Sequence, residues 1–116
     1  MTQKTISHFY PDTYYKLFSL FNSYDKKLIG VLKSLLDFEP ARILDLACGV
    51  GLSTMALRAN FPNARITGVD IDSDMIEFAQ KTFPSSDVEF QCSEISDTLT
   101  HFPENSADIV FVKSAY

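Results

Sequence analysis

The chain contains 116 residues, with fifteen Asp or Glu against ten Lys or Arg, so its net charge at pH 7 is −5. This length corresponds to one domain with a hydrophobic core of its own. The acidic balance argues against a general nucleic-acid-binding protein, which needs a basic face to displace counterions. Two cysteines are too few for a disulfide framework. No apolar run approaches the ~18 residues of a membrane span, and the N-terminus has no signal core. We therefore expect a cytoplasmic protein with no membrane partner and no metal site.

Residues 1–40 predict a loose arm followed by a two-helix cap. The first helix begins after Asp12, which is suited to cap it, and ends at Asn22 and Ser23. The second helix fades before Pro40. Each helix carries apolar residues at helical spacing, and we expect each set to pack on the core as one stripe. The stripes consist of Tyr14, Leu17, Phe18 and Phe21 in the first helix and of Leu28, Val31, Leu32, Leu35 and Leu36 in the second.

From residue 41 onward, short apolar segments alternate with helical patterns. Such alternation is typical of parallel βαβ units with right-handed crossovers. We therefore predict that residues 41–116 form an α/β fold, a doubly wound Rossmann-like parallel sheet of about four strands. The strands are predicted over 43–46, 66–69, 88–92 and 107–112, and a helical turn over 95–99. One helix is predicted to turn Leu52, Met55, Ala56 and Ala59 inward, and another, capped by Asp72, to turn Met75, Ile76 and Ala79 inward.

The strongest local signal is Asp45-x-x-x-Gly49-x-Gly51, between the first predicted strand and the helix after it. The two glycines permit a tight turn and close approach of a ligand to the backbone. The helix that follows offers N–H groups to an anion. Asp70, at the end of the next strand, can accept hydrogen bonds from both hydroxyls of a ribose. We therefore predict a nucleoside-containing ligand bound across two adjacent strand ends.

Residues 45 and 54 distinguish a dinucleotide from other nucleoside-containing ligands. The dinucleotide fingerprint requires a third glycine where this chain has Thr54. Asp45 would repel a pyrophosphate but would attract a ligand that carries an ammonium group. A P-loop is excluded because no Gly-Lys-Ser/Thr follows the glycines. The pattern thus favours a nucleoside with a positively charged head.

Four segments in chain order carry a family resemblance: ILDLACGVGLST, ITGVDIDSDMIEFAQK, VEFQCSEI and ADIVFV. They closely resemble the successive motifs of the class I (Rossmann-like) S-adenosylmethionine-dependent methyltransferases. The resemblance implies S-adenosyl-L-methionine as cofactor and S-adenosyl-L-homocysteine as product. It also implies a seven-stranded family fold, of which the predicted strands would be the N-terminal, cofactor-binding part.

The resemblance implies site residues at three consecutive strand ends. The loop around the methionine part of the cofactor would comprise Asp45, Ala47, Cys48, Gly49 and Gly51, with Ala47 standing where the family often has glycine. At the other strand ends, Asp70 would hold the ribose hydroxyls, Ile71 would pack on the adenine, Glu94 would accept from the adenine amino group, and Ile95 would add backbone and apolar contacts. Glu94 departs from the Asp that is usual there.

The remaining polar and aromatic candidates have simpler interpretations. His8 and His101 are predicted to be surface histidines, and Cys48 and Cys92 small core fillers. Three tyrosines are expected to pack within the N-terminal helices, and one of them is a candidate to close over the cofactor. These are Tyr14, Tyr15 and Tyr24.

The function that the resemblance implies is direct in-line methyl transfer, with proximity carrying much of the rate. The resemblance implies that Lys113, Ser114 and Tyr116 stand where the fourth strand would meet the transferred methyl group. They depart from the Asn/Asp-Pro-Pro-Tyr of members that act on amino groups of nucleobases or glutamine, which argues against those substrates. Because the acidic balance also argues against RNA or DNA, we predict a small-molecule acceptor. The sequence assigns no catalytic residue.

Two alternative functions remain open. The first is a non-catalytic cofactor-binding fragment or subunit that needs a C-terminal half or a partner, and the second is an NAD-binding oxidoreductase domain. Residues 109–112 would leave an apolar unpaired strand at the sheet edge. We therefore interpret the chain as the N-terminal part of a methyltransferase, or as one that pairs this edge in a homo-oligomer.

Overall fold

The computed structural model describes residues 22–84, 87–101 and 107–112. The predicted arm and first helix lie outside the described residues. So do six of the candidates that the sequence singled out: His8, Tyr14, Tyr15, Lys113, Ser114 and Tyr116. Tyr24 and His101 lie in described helices, but their side chains are outside the description. The predicted division between residues 1–40 and 41–116 stays a prediction.

The described residues form helices and strands in alternation. In chain order these are α1 (Asn22–Leu35), β1 (Arg42–Leu46), α2 (Leu52–Asn60), β2 (Arg65–Asp70), α3 (Ser73–Thr82), β3 (Val88–Cys92), α4 (Ile95–His101) and β4 (Ile109–Phe111). The strands form one sheet with the order β3-β2-β1-β4, and each neighbouring pair is parallel. The chain builds outward from β1 to β3 and then returns to the other side of β1, which makes β1 the switch point of the sheet. The predicted α/β, Rossmann-like fold is confirmed.

Side chains alternate between the two faces of the sheet and form a core on each. On one face, Ile43 of β1 and Ile66 of β2 pack in a buried cluster with Ile29 of α1 and Leu57 of α2. On the opposite face, the buried residues are Leu44, Leu46 and Val69, against which Ile95 of α4 packs. Helices thus cover both faces, as the doubly wound prediction requires.

The apolar stripe predicted for the second helix is wrong at three of its five positions, whereas Leu36 packs against the core as predicted. Ile29 is fully buried, whereas Leu28, Val31 and Leu35 are 40%, 58% and 77% exposed. The reason is that α1 packs against α2, with Ile29 in the shared cluster, so the contact follows a different line along the helix. Asn22, predicted to separate two helices, lies in α1 instead.

The inward side of α2 also differs from the prediction. The buried residues of this helix are Ser53, Thr54, Ala56 and Leu57, and of these only Ala56 belonged to the predicted stripe. Two buried hydroxyls replace apolar side chains because the carboxylate of Asp45 accepts a hydrogen bond from each. The periodicity of apolar residues cannot show such a pair, since it treats Ser and Thr as solvent-facing.

The predictions for α3 are confirmed. The Asp72 side chain accepts hydrogen bonds from the backbone N–H groups of Asp74 (2.9 Å) and Met75 (3.4 Å), which makes it the N-cap. Met75, Ile76 and Ala79 are buried as expected. Within the described part of the chain, none of the helices has the length and apolar character needed to cross a bilayer.

Candidate functional site

The chain turns sharply between β1 and α2, over residues 47–51, which we call the glycine turn. Ala47, Gly49 and Gly51 have φ values of 59°, 58° and 96°, all in the left-handed region. The Cys48 N–H donates to the carbonyl of Val69 at 2.9 Å, and the Gly51 N–H donates to the carbonyl of Cys48 at 3.1 Å. The turn is therefore tied to β2, and three of its residues adopt a conformation that favours glycine.

The glycine turn leads directly into the N-terminus of α2. Gly51 is the N-cap residue and has no side chain with which to cap the helix, and the first turn carries no acidic residue. The Met55 N–H is the donor that bonds to the Gly51 carbonyl, at 3.0 Å. The N–H groups before it lie at the positive end of the helix, where an anionic group is stabilised.

Asp70 lies beside the glycine turn, at the end of β2. Its Oδ2 accepts a hydrogen bond from the Gly49 N–H at 2.9 Å, and its Oδ1 accepts one from the Asp72 N–H at 2.9 Å. The side chain is half-buried, and the neighbouring Ile71 is 68% exposed. A carboxylate has about four acceptor positions, so each oxygen of Asp70 retains capacity for a further donor. The structure thus brings a fixed pair of acceptors next to an exposed apolar side chain.

Asp45, the first acidic residue of the motif, lies under the glycine turn instead of lining its open side. Its side chain is 1% exposed. Its Oδ2 accepts hydrogen bonds from Ser53 Oγ and Thr54 Oγ1, both at 2.7 Å. The sequence motif therefore contains two carboxylates with different surroundings, one enclosed at Asp45 and one open at Asp70.

The end of β3 lies next to the end of β2, which places Glu94 at the same edge of the sheet. The Ser93 N–H donates to the Asp70 carbonyl at 3.0 Å. The Glu94 side chain is exposed, and its carbonyl accepts the Thr98 N–H at 2.9 Å, which begins α4. Ile95 is half-buried and packs against the core on the opposite face of the sheet. The predicted residues of this strand end thus diverge: Glu94 faces solvent and Ile95 packs inward.

The two cysteines have opposite surroundings. Cys48 is 6% exposed, and burial, followed by the negative charges of Asp45 and Asp70, raises the pKa of its thiol far above the ordinary value. Cys92 is exposed at the end of β3, where its Sγ lies 3.5 Å from the Ile71 carbonyl oxygen. The prediction of a core filler is therefore wrong for Cys92, because β3 lies at the edge of the sheet that the described residues form and its last residue is exposed.

Sequence reasoning missed three residues that support the site, namely Ser53, Thr54 and Gly68. A Cβ on Gly68 would lie 2.9 Å from Thr54 Oγ1 and 3.1 Å from Cys48 Sγ. A glycine inside a strand is a recognised sign of close approach by another group, so Gly68 was detectable. The sequence contains no comparable sign that the hydroxyls of Ser53 and Thr54 are buried.

The family follows from this fold and from the sequence together. A family model described as a methyltransferase domain matches residues 43–116, which is more than half of the chain. The chain therefore belongs to the methyltransferase-domain family, and the resemblance to class I S-adenosylmethionine-dependent methyltransferases is confirmed.

Among the curated relatives is a malonyl-[acyl-carrier protein] O-methyltransferase of Acetivibrio thermocellus, 38% identical over 85 residues. A trans-aconitate 2-methyltransferase of Rhodopseudomonas palustris is 33% identical over 79 residues. The matches cover 71% and 67% of this chain. They cover 30% and 28% of the relatives, so the chain spans less than a third of their length.

Solved structures resemble this fold over most of the chain. A Methanococcus maripaludis protein assigned to the S-adenosyl-L-methionine-dependent methyltransferases matches with a TM-score of 0.78 at 14% identity, over 99% of this chain and 53% of that one. The plantazolicin methyltransferase BpumL, in complex with SAH, matches with a TM-score of 0.61 at 21% identity, over 91% and 39% of the two chains. At these identities the likeness concerns the fold.

The left-handed conformation of Ala47 leads to a stability prediction. Ala47→Gly should raise the free energy of unfolding by about 1 kcal/mol, because a side chain at φ 59° is strained and glycine is not. Ala59→Gly, at an exposed position of α2, should lower it by about 1 kcal/mol and serves as the control. Urea denaturation of both variants measures the difference. A destabilised Ala47→Gly chain would contradict the strain.

The contrast between the cysteines predicts selective alkylation. At about pH 8, iodoacetamide should modify Cys92 and spare Cys48, as read by peptide mass spectrometry.

The burial of Cys48 also predicts how stability depends on pH. The pKa of the Cys48 thiol is raised on folding from 9.0, so its contribution to the free energy of unfolding is complete below about pH 9 and declines above it. Cys48→Ala should therefore weaken the loss of stability above that pH. Alkylation of Cys48 in the folded chain would refute its enclosure.

Proposed function

We propose that this chain binds S-adenosyl-L-methionine at the ends of β1, β2 and β3, and that the protein transfers the methyl group to a small-molecule acceptor. The observation that carries the proposal is the Asp70 carboxylate, held by the Gly49 and Asp72 N–H groups at 2.9 Å each, with acceptor capacity left on both oxygens. Membership of the methyltransferase-domain family supports it.

The nucleoside would lie along the ends of β2 and β3. Asp70 would accept hydrogen bonds from the two ribose hydroxyls, which matches a pair of oxygens fixed by backbone donors. Ile71, 68% exposed, offers apolar surface for the adenine ring. Glu94, exposed at the adjoining strand end, would accept from the adenine amino group, and Ile95 would contribute through its backbone.

The amino-acid end of the cofactor would lie over the glycine turn. Ala47, Cys48, Gly49 and Gly51 would contribute backbone, since Cys48 is buried and two of the others are glycines. The N–H groups at the start of α2 would face the carboxylate of the ligand. The negative charge of Asp45 beneath the turn favours a ligand with an ammonium group over one with a pyrophosphate.

The cofactor supplies a methyl group that is already activated by its positive sulfonium. The task left to the protein is to hold donor and acceptor in line and to exclude water, which carries much of the rate. The names of the relatives point to acceptors with carboxylic acid groups, malonyl and trans-aconitate. A carboxylate is already ionised at neutral pH and needs no general base. We therefore propose carboxylate oxygen as the first acceptor class to test.

The alternative is cofactor binding without turnover by this chain. It is favoured by the length comparison, since the chain spans only 30% of the Acetivibrio thermocellus relative. Binding and turnover are therefore separate expectations with separate measurements.

The binding proposal predicts a response to S-adenosyl-L-homocysteine. The compound should raise the melting temperature of the chain, and NADH should not. Asp70→Ala should weaken its binding by at least about ten-fold, because the variant loses the ribose acceptors and the Gly49 anchor. Glu77→Ala is the matched control: it removes an exposed carboxylate of α3 that pairs with Lys81 at 2.8 Å. A response to NADH alone would favour the oxidoreductase alternative.

The turnover proposal predicts a labelled methyl ester. With methyl-labelled S-adenosyl-L-methionine and trans-aconitate or a malonyl thioester, label should enter a base-labile product, accompanied by S-adenosyl-L-homocysteine. Asp70→Ala should lose the product and Glu77→Ala should retain it. Binding of S-adenosyl-L-homocysteine without any labelled product would favour the non-catalytic alternative.

A further inference from the structure

We propose that Asp45 is a positioning residue for the cofactor. It acts on the glycine turn through the hydroxyls of Ser53 and Thr54 and does not itself contact the ligand. The inference rests on the proposed function, because it specifies how one residue of that same site works. It replaces the simpler expectation that all three strand-end carboxylates bind the ligand directly.

The first step of the argument is the position of Asp45 in the sheet. Asp45, Gly68 and Phe90 are register partners on β1, β2 and β3, so they form a row across the sheet on one face. The row lies beneath the glycine turn: a Cβ on Gly51 would lie 3.0 Å from the Phe90 ring. Gly51 and the first turn of α2 therefore rest on this row.

The second step is the link between Asp45 and α2. Ser53 and Thr54 are the second and third residues of the helix, and both donate to Asp45 Oδ2 at 2.7 Å. Thr54 is fully buried and Ser53 is 8% exposed. One carboxylate oxygen thus fixes two consecutive residues of the first helical turn. These are the residues whose position determines where the N-terminal N–H groups of α2 point.

The third step is the space that the link requires. A Cβ on Gly68 would lie 2.9 Å from Thr54 Oγ1, closer than a side-chain carbon can approach. Only glycine at this position leaves room for the Thr54 hydroxyl to reach Asp45. The bond therefore depends on a specific residue of the neighbouring strand.

The fourth step is that Asp45 is enclosed. Its 1% exposure leaves no open surface for a ligand group above the turn. A buried carboxylate is stabilised by hydrogen-bond donors around it, and removal of a donor is costly. The bonds to Ser53 and Thr54 hold the turn in one arrangement before the ligand arrives, and such preorganisation strengthens binding.

The test separates the two ends of the ligand. S-adenosyl-L-homocysteine has both the nucleoside and the amino-acid end, whereas 5′-methylthioadenosine has only the nucleoside. Thr54→Val keeps the shape of the side chain and removes the hydroxyl, and Thr54→Ser restores the hydroxyl. Thr82→Val is the matched control, since it removes a hydroxyl that bonds to the Phe78 carbonyl at 2.7 Å on α3, away from the turn. Calorimetry gives the affinity of each chain for each compound, and circular dichroism confirms folding.

Thr54→Val should weaken binding of S-adenosyl-L-homocysteine by about ten-fold and that of 5′-methylthioadenosine by less than about two-fold. Thr54→Ser should recover most of the loss, and Thr82→Val should change neither affinity. Asp45→Ala removes the acceptor of both hydroxyls and should therefore weaken binding of S-adenosyl-L-homocysteine at least as much as Thr54→Val. Adding Thr54→Val to Asp45→Ala should lose little more, because the Thr54 bond is already broken.

Three outcomes would overturn the inference. If a chain that combines Ser53→Ala and Thr54→Val keeps its affinity for S-adenosyl-L-homocysteine while Asp45→Ala lowers it, Asp45 acts on the ligand without these hydroxyls. If Thr54→Val weakens both compounds equally, the hydroxyl serves the fold in general. If the unsubstituted chain binds neither compound, the proposed function fails and this inference fails with it. In the first two outcomes, by contrast, the unsubstituted chain binds S-adenosyl-L-homocysteine.

Discussion

The hydrogen bond from the Gly49 N–H to Asp70 Oδ2 is the interaction on which the candidate site depends. It joins the turn after β1 to the end of β2 across 21 positions of the chain, at 2.9 Å. The Cys48 N–H reinforces it by extending the ladder between the two strands to Val69. Because both strands run parallel and end at the same edge, one carboxylate can both hold the glycine turn and keep acceptor positions open at that edge.

The two aspartates of the motif illustrate how the same side chain takes different roles in different surroundings. Asp70 is half-buried and is fixed by backbone donors, which leaves acceptor positions open to solvent. Asp45 is enclosed and is engaged by side-chain hydroxyls from the helix above it. A ligand with a diol suits the first arrangement, and a well-defined helix start suits the second. In our proposals, Asp70 therefore binds the ligand and Asp45 holds the turn that binds it.

The family assignment bears on cofactor binding by this chain, whereas the choice of acceptor depends on more of the protein than the chain spans. The match over residues 43–116 places the chain among the methyltransferase domains. The described strands contain the switch point and the three strand ends at which the proposed cofactor contacts lie. The curated relatives continue well beyond the matched region, since it is 30% and 28% of their length. Cofactor binding is therefore a property of the described residues, as we propose it, whereas the choice of acceptor concerns the whole protein.

The sequence by itself determined the order of strands and helices, the glycine turn and the cap at Asp72, because these depend on neighbouring residues and on local backbone preferences. Only the tertiary structure decided which sides of α1 and α2 face inward, that Cys92 is exposed and that Asp45 is enclosed. Burial depends on what packs across from a residue, and the partners of Asp45 and Gly68 come from different elements. Apolar periodicity predicts that Ser53 and Thr54 face solvent. In the structure both are buried, because their hydroxyls donate hydrogen bonds to the buried carboxylate of Asp45.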